Sequence, residues 1–482
     1  MTSNVVLILA GNAALIPAGI GFLLLSDAWH RLGRWSRFAV ALLSGQALFL
    51  VVGPLLLYAG LSVAPAIVLP LGVAVLVGGL VSARRRGRGL SQSEGNPRGS
   101  APIAVAIVAA PLVALACASV VQPPYEIDTM LNWVMKAKVL WASGDHLTGA
   151  LDPQVFTRPD LHPQSHLEYP LGMNALLAWT FHWMGEADIR VMHLQLVLLL
   201  AAAVGTSWTF LRPLIPDVPL AVGLAGLVAM PAVVHHLLTA YADVPLALLW
   251  ATGALVLIRW AADGERYQLA LATLLLAASL AVKQDGVFYD AAIFAGVAVS
   301  LLVHRRRRVL ELLVSAGVVA LTAVPWQLYS ATHDLSRRDV RPGLGRMQAQ
   351  TERLLPTLDG MLNVVTHPRT TLMAVPLALV LALLCLRRRR LTEVAVPFLI
   401  SSVSVAVAIL FIYWNSAVTL ELVLIPALGR IMMGLIVLAW LLVPPLAFAT
   451  IASVQEYDET ASIGETDNAP AQIRTSAPLS SP

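Results

Sequence analysis

The chain has 482 residues, of which 58% are hydrophobic and only 12% are charged, and its mean hydropathy is +0.75. This much apolar surface excludes a soluble globular protein, and the net charge of +4 is no nucleic-acid signal because the basic residues form clusters between apolar runs. The two cysteines lie far apart inside apolar runs, which argues against a disulfide framework or a cysteine-based metal site. Repeated apolar runs of about 20 residues predict an all-α polytopic membrane protein.

Thirteen transmembrane helices are predicted along the chain. The first apolar run follows "MTSN", which contains no basic residue, so we interpret it as a retained span rather than a cleaved signal. The predicted spans lie near residues 5–25, 38–59, 62–82, 102–121, 191–211, 219–236, 244–260, 267–282, 287–303, 309–328, 370–386, 391–413 and 430–452.

Four basic clusters predict the orientation of these spans. They are "HRLGRWSR" at 30–37, "ARRRGRG" at 83–89, "HRRRR" at 304–308 and "RRRR" at 387–390. The positive-inside rule places all four in the cytoplasm. The N-terminus then lies outside, as do the loops 122–190 and 329–369, and the polar tail 455–482 is predicted to be disordered inside. The expected location is the plasma (inner) membrane.

The apolar segment 169–185 does not fit as a further crossing. If it crossed, one arginine cluster would have to face outward. We therefore predict an amphipathic helix lying along the outer membrane surface, with Trp179 and Trp183 at the interface.

Two carboxylates, Glu126 and Asp128, follow the fourth predicted span directly. Asp128 has two interpretations, as an ordinary helix N-cap or as a base whose pKa partial burial raises. Lys136 and Lys138, on the helical pattern that follows, are either interfacial lysines whose ammonium groups reach the headgroups or ligands of an anion.

The other outer segments carry further polar groups. His162, His166 and Glu168 lack the spacing of a known zinc motif, although metal binding by them stays open. Cations near an acid at the membrane boundary suit a substrate with an acceptor hydroxyl and a phosphate leaving group. Lys136, Lys283, Arg341 and Arg430 are predicted to hold that phosphate, with headgroup anchoring as the alternative role. Further candidate substrate-binding residues are Lys138, His166, Tyr169, Asp243 and Asp285.

Four stretches in chain order resemble the C-type (GT-C) membrane glycosyltransferases, which use polyprenyl-phosphate sugars. They are "YEIDTMLNWVMKAK", "HLEYPLGMNALLAWTFHWMGEADIRVMHLQLVLLL", "YADVPLAL" and "VKQDG". The similarity is greatest to the bacterial branch with lipopolysaccharide-core sugar transferases, the aminoarabinose transferase and protein O-mannosyltransferases. The chain departs from the pattern where Ile127 separates the two first-loop acids and where Tyr169-Pro170 replaces a double proline.

The resemblance implies a core at 102–330 with its outer loop at 122–190. Accessory spans would occupy 1–101, and further spans 331–454. It also implies transfer of a sugar, with inversion, from a polyprenyl-phosphate donor to an envelope glycan, lipid or protein acceptor on the outer face. Asp128 would be the general base, with Glu126 beside it. The resemblance leaves open whether a divalent cation serves as a cofactor.

The alternative function is a transporter or flippase of a lipid-linked or anionic solute. Transporters are expected to show inverted repeats and charges near the membrane midplane. This chain shows no internal repeat, and almost all of its charges lie at span ends, which favours the enzyme.

Overall fold

The computed structural model describes residues 2–88, 102–124, 126–143, 169–304, 308–333, 350–416 and 425–466, together with Leu335, Gln348 and Leu420. Over these residues the protein is all-α, as predicted. The helices are α1 (Thr2–Ala13), α2 (Ile16–Leu25), α3 (Ala28–Arg31), α4 (Arg34–Tyr58), α5 (Pro65–Arg85), α6 (Pro102–Val121), α7 (Ile127–Thr129), a π-helical turn (Met130–Val134), α8 (Met135–Ala142), α9 (Gly172–Met184), α10 (Leu194–Leu211), α11 (Asp217–Val228), α12 (Pro231–Leu238), α13 (Asp243–Asp263), α14 (Arg266–Val282), α15 (Gly286–His304), α16 (Val309–Thr332), a 3₁₀ turn (Thr351–Arg353), α17 (Leu354–Thr366), α18 (Pro368–Thr371), α19 (Ala374–Arg387), α20 (Thr392–Asn415), α21 (Ile425–Ile431) and α22 (Met433–Thr466).

Ten helical segments of the described residues are long and apolar enough to cross a membrane, with α1 and α2 together counted as one. Helices α11 and α12 form an eleventh candidate, bent by 47°; the bend lies where Met230 precedes Pro231 and takes an extended conformation. The predicted spans at 267–282 and 370–386 are the shorter apolar helices α14 and α19. The multi-pass membrane architecture is therefore confirmed, and the count of 13 crossings stays a prediction.

Helix α13 forms the centre of the bundle. Nearly all of its side chains are buried, and it packs against α10, α14, α15 and α22. By contrast, α5, α6 and α16 expose most of their apolar side chains. A membrane span tolerates this exposure because lipid tails are as apolar as the side chains themselves.

The N-terminal helices are joined to the core by buried amide side chains. The amide of Asn12 in α1 donates to Gln195 Oε1 in α10 at 2.7 Å, and Gln46 in α4 donates to Asn12 Oδ1 at 2.8 Å. Polar groups buried in an apolar bundle are stabilised by partners, and these three side chains bond to one another. The predicted accessory helices thus pack directly on the core.

Helix α9 corrects the prediction for residues 169–185. Trp179 is completely buried; its ring packs 5.3 Å from that of Phe49, and its Nε1 donates to the carbonyl of Gly11 at 3.3 Å. The placement of Trp179 at a lipid interface is therefore wrong. Most side chains of helix α9 are buried, and α1, α4, α8 and α14 pack around it, so it is a core helix rather than an amphipathic surface helix.

The bundle has two ends, which we name by their residues. Helix α13 rises about 30 Å from Asp243 to Asp263, and α14 returns antiparallel so that Lys283 follows its last turn. We call the end with Asp243 and Lys283 the site end, and the end with Asp263 and Arg266 the arginine end.

Each of the four basic clusters has a described arginine at the arginine end. Because α15 begins at the site end and α22 begins next to it, their far termini lie at the opposite end, together with α2, α3 and α5. The contacts are Arg31 to Glu265 at 3.5 Å, Arg86 to the carbonyl of Leu25 at 2.9 Å, Arg308 to the carbonyl of Trp260 at 3.3 Å, and Arg388 to the carbonyl of Thr450 at 2.6 Å.

Candidate functional site

Five chain segments meet at the site end and form one charged cluster. Because the membrane-crossing helices place their loops at common levels, segments far apart in sequence become neighbours there. Seven of the residues predicted from the sequence belong to this cluster: Glu126, Asp128, Tyr169, Asp243, Lys283, Asp285 and Arg430.

Asp128 lies on α7, just before the π-helical turn. Its Oδ1 accepts a hydrogen bond from the Asn132 amide, and its Oδ2 accepts one from Arg430 Nη1. Both partners are side chains rather than backbone amides of the first helical turn. The N-cap interpretation therefore finds no support in the contacts of this carboxylate.

The π-helical turn after Asp128 is held by neighbouring helices. Such a turn interrupts the regular backbone hydrogen bonds of a helix and is often found at functional sites. Here the Asn174 amide in α9 donates to the carbonyls of Asn132 and Trp133, at 3.1 and 2.9 Å. The hydroxyl of Thr129 donates a hydrogen bond to the carbonyl of Thr239. The segment that carries Asp128 is thus fixed on both sides.

Arg430, on α21, connects Asp128 with the rest of the cluster. Its guanidinium carbon lies 4.5 Å from the centre of the Tyr241 ring, which is within cation–π range. Burial opposes the charge of Arg430, but the carboxylates of Asp243 and Asp128 outweigh it and raise the pKa of Arg430. Arg430 is therefore a permanently charged member of the cluster, and its contacts differ from those of a headgroup anchor.

A buried triad of Asp243, Lys283 and Asp285 forms the inner part of the cluster. Lys283 Nζ lies 2.7 Å from Asp243 Oδ1 and 2.8 Å from Asp285 Oδ2, and the lysine side chain is only 9% exposed. Burial would lower the pKa of Lys283, but the two carboxylates raise it well above its usual value. With one cation between two acids, the triad carries an excess negative charge next to Arg430.

Aromatic rings form one wall of the cluster. Tyr169 stacks on Trp133 with ring centres 5.4 Å apart and planes 5° apart. The ammonium of Lys283 lies 5.7 Å from the centre of the Tyr169 ring. Tyr169 is thus built into the site.

Sequence reasoning missed two polar residues of this site. Asn132 lies four residues after Asp128, on the same helical face, and that spacing was a usable signal. Tyr241 lies two residues before Asp243, and its hydroxyl is 3.4 Å from Glu126 Oε2. Burial raises the pKa of Tyr241 to about 12, against the opposing charge of Arg430 and with the help of the carboxylates of Glu126 and Asp128. Only the folded structure reveals the partner of Tyr241.

Four predicted substrate-binding residues remain: Lys136, Lys138, His166 and Arg341. Lys136 is 1% exposed, so the interpretation of it as a lysine reaching for headgroups is wrong. Lys138 is half-buried on α8 and forms no ion pair with a described residue. His166 and Arg341 lie outside the described residues, as do His162 and Glu168 of the open metal hypothesis.

No group of three metal-ligating side chains occurs within the part of the chain that the structure describes. An apolar pocket of about 280 Å³ lies next to the cluster instead, between α4, α14 and α16. Its lining includes Pro170, next to Tyr169, and Gln284, next to Lys283, together with Trp326. A charged cluster and an apolar pocket thus lie side by side.

Comparisons of the whole chain with protein families, with curated proteins and with solved structures find no match. The geometry of the site end therefore carries the functional argument.

Proposed function

We propose that this protein is a membrane glycosyltransferase that moves a sugar from a polyprenyl-phosphate donor to an envelope glycan, lipid or protein acceptor. The observation that carries the proposal is the environment of Asp128. Its carboxylate is 33% exposed and is held between Asn132 and Arg430. An accessible acid in a fixed position, beside a permanent cation, suits a base that acts next to a phosphate.

The proposed reaction is a single displacement at the anomeric carbon. Asp128 takes the proton from an acceptor hydroxyl, and the acceptor oxygen forms a bond to that carbon. The bond from the carbon to the phosphate oxygen breaks at the same time, and its electron pair leaves with the polyprenyl phosphate. Attack from the face opposite the phosphate inverts the anomeric configuration, by the logic that applies to inverting glycosidases.

Arg430 has the chemistry to serve both Asp128 and the donor phosphate. A guanidinium carries five N–H donors, and the Asp128 contact uses Nη1. Other N–H groups of Arg430 would bind the phosphate and stabilise the charge that develops on it. Lys283 is held between two acids instead, so we propose that it positions the carboxylates of Asp243 and Asp285.

The apolar pocket suits a lipid-linked donor. A polyprenyl chain needs apolar surface that continues into the membrane, and its phosphate must then reach the cations at the chain's end. The pocket between α4, α14 and α16 adjoins Lys283 and Tyr169 through Gln284 and Pro170. This proximity supports a donor that is part lipid and part phosphate.

The proposed orientation places the site end outside the plasma membrane. The basic clusters at the opposite end support it, since cytoplasmic loops carry an excess of Lys and Arg. A site on the outer face would act on envelope acceptors.

The test is sugar transfer by purified full-length protein supplied with a radiolabelled polyprenyl-phosphate sugar and envelope acceptors. The variant Asp128→Asn keeps the shape and the capping ability of the residue but removes the proton acceptor. We expect transfer to fall about 10²–10⁴-fold, the usual contribution of a general base. The matched control is Asp359→Asn, the same substitution at an exposed position of α17.

Transfer at the wild-type rate by Asp128→Asn would remove Asp128 from the mechanism and make Glu126 the next candidate. Absence of transfer by the wild-type protein with every donor supplied would reject the enzyme proposal itself.

A transporter or flippase of a lipid-linked or anionic solute is the second candidate function, and Asp290 favours it. This acid is 5% exposed inside the candidate span α15. Ionisable residues within spans often mark a transport path. In proteoliposomes, solute movement that Asp290→Asn abolishes would support the transporter, whereas unchanged sugar transfer in that variant would support the enzyme.

A further inference from the structure

Helix α17 carries two apolar surfaces, and the described part of the protein covers only one of them. The covered surface consists of Thr357, Met361 and Val365, which recur at every fourth residue and are 9% exposed or less. Side chains at this spacing share one face of a helix. This face packs α17 against α19, α20 and α21.

The second apolar surface is a row of leucines. Leu355, Leu358 and Leu362 lie at helical spacing and are 77%, 42% and 53% exposed. At 3.6 residues per turn, this row lies between the buried face and a polar face that carries the exposed Asp359 and Asn363. Around its axis, α17 therefore turns one face to the protein, the next to an apolar surrounding and the third to a polar one.

Both ends of α17 lie at the site end of the bundle. At its start, Arg353 Nη1 donates to the carbonyl of Ser416, just after span α20, at 3.0 Å. After its last residue, α18 packs against α12, which leads to Asp243, and α19 begins at Ala374 and leads to the arginine end. Since both ends of this roughly 20 Å helix lie at the same level, α17 runs across the end of the bundle rather than along the spans.

The leucine row continues an apolar surface that reaches the membrane core. Helix α19, which is predicted to cross the membrane, exposes Leu377, Val380 and Leu383, as a lipid-facing helix does. Leu372 and Met373, which lie between α17 and α19 along the chain, are exposed as well. A helix that has one apolar and one polar face, at the level where spans end, is typical of the membrane interface.

We propose that α17 is an interfacial helix whose leucine row inserts among the lipids at the site end. Its polar face then lies among the headgroups. Three leucine side chains offer far less area than the roughly 800 Å² per partner of a stable protein interface, which favours lipid over a second protein. Because α17 packs against α21, the depth of α17 in the membrane sets the depth of Arg430.

The experiment scans α17 with a nitroxide spin label in full-length protein reconstituted into phospholipid vesicles. Cys117 is exposed and is replaced by serine, whereas Cys385 is buried and stays. Cys117→Ser alone should take up no label. A single cysteine is then introduced in turn at Leu355, Leu358, Leu362, Asp359 and Asn363. Electron paramagnetic resonance compares the collisions of each label with oxygen, which concentrates in lipid, and with a water-soluble nickel chelate.

We expect labels at the three leucine positions to collide more with oxygen, and labels at Asp359 and Asn363 to collide more with the nickel chelate. A label at Leu383 is the lipid reference, and a label at Arg190, whose side chain is 71% exposed, is the water reference. The leucine positions should also share one depth. If α17 instead ran along the membrane normal, Leu355 and Leu362 would differ in depth by about 10 Å.

Nickel accessibility at all three leucine positions would place the row in water and overturn the proposal. Exclusion of both reagents would also overturn it, because protein, such as a second copy of this chain, would then cover the row. Depths that change steadily along α17 would show that the helix crosses the membrane instead of lying in its interface. These results do not depend on sugar transfer, so they test α17 whatever reaction the protein performs.

Discussion

The two ends of the helix bundle hold their charges in different ways. At the site end, ion pairs join residues distant in sequence: Asp128 and Arg430 are 302 residues apart, and Asp243 and Lys283 are 40 apart. At the arginine end, Arg212 pairs with Asp217 only five residues away, although Arg31 also pairs there with the distant Glu265. A distant pair exists only after folding, whereas a local pair can form within one turn of chain.

Burial explains why this difference matters. Lys283 is 9% exposed, whereas Arg212 is 25% exposed. A buried charge that loses its partner is left without water or counter-charge, while a charge near the surface is solvated again. The site end should therefore be rigid and sensitive to substitution, and the arginine end should be tolerant. Four variants test this comparison.

The largest expected effect is that of Lys283→Met on stability. The variant leaves Asp243 and Asp285 facing each other without a cation, and we expect destabilisation of about 3–5 kcal/mol. The loss in the free energy of unfolding is measured by titrating the purified protein with denaturant in mixed micelles. A loss below about 1 kcal/mol would mean that the triad behaves like a surface pair, and would remove the contrast between the two ends.

A smaller effect is expected for Arg430→Lys on transfer. Lysine keeps the charge but cannot hold Asp128 and a phosphate with fixed N–H groups. Each lost charged hydrogen bond weakens binding by about 1.5–3 kcal/mol, so kcat/KM for the donor should fall about 10–150-fold. The matched control is Arg369→Lys, on the exposed side of α18. Donor kinetics equal to wild type would return Arg430 to the role of a headgroup anchor.

Tyr241 predicts a pH dependence of stability. Its pKa in the folded protein is about 12, above a value of about 10 when unfolded. Between these values the folded state holds the proton that the unfolded state has released, so stability is full below about pH 10 and falls as the pH rises towards 12. The variant Tyr241→Phe should lack this part of the alkaline loss, as measured by unfolding midpoints over that range. If the curves of unfolding midpoint against pH for the wild type and Tyr241→Phe are parallel, the pKa of Tyr241 is the same in the folded and unfolded states.

The smallest effect is expected for Arg212→Met at the arginine end. Its pair with Asp217 is local and partly exposed, so its loss should change stability by about 0–1 kcal/mol. The same denaturant titration measures it, at low and high salt. A change as large as that of Lys283→Met would contradict the proposed difference between the ends.

Parts of the site could be predicted because their signals are local. Glu126, Asp128, Asp243 and Lys283 are charged residues at the ends of apolar runs, where a polar site in a membrane protein is expected. Asn132 was missed, although its helical spacing from Asp128 was a usable local signal. Tyr241 had no local signal of comparable strength, because its importance comes from contacts with Glu126 and Arg430 across the fold.

The orientation of buried apolar segments was harder to predict. Residues 172–184 have a composition that suits a surface helix, a short crossing or a core helix equally well. The contacts of Trp179 with Phe49 and Gly11 show that these residues form a core helix. Composition cannot make this distinction, because lipid and a protein interior are similarly apolar.

The sequence by itself determined the all-helical multi-pass architecture, since apolar runs long enough to cross a membrane allow no other stable backbone arrangement. It also determined where the arginine clusters occur along the chain. The tertiary structure decided that Arg430 pairs with Asp128, that Lys283 lies between two acids, and that Trp179 is enclosed. The physical reason is that hydropathy is a property of each segment, whereas the partner of a buried charge depends on which segments the packed helices bring together.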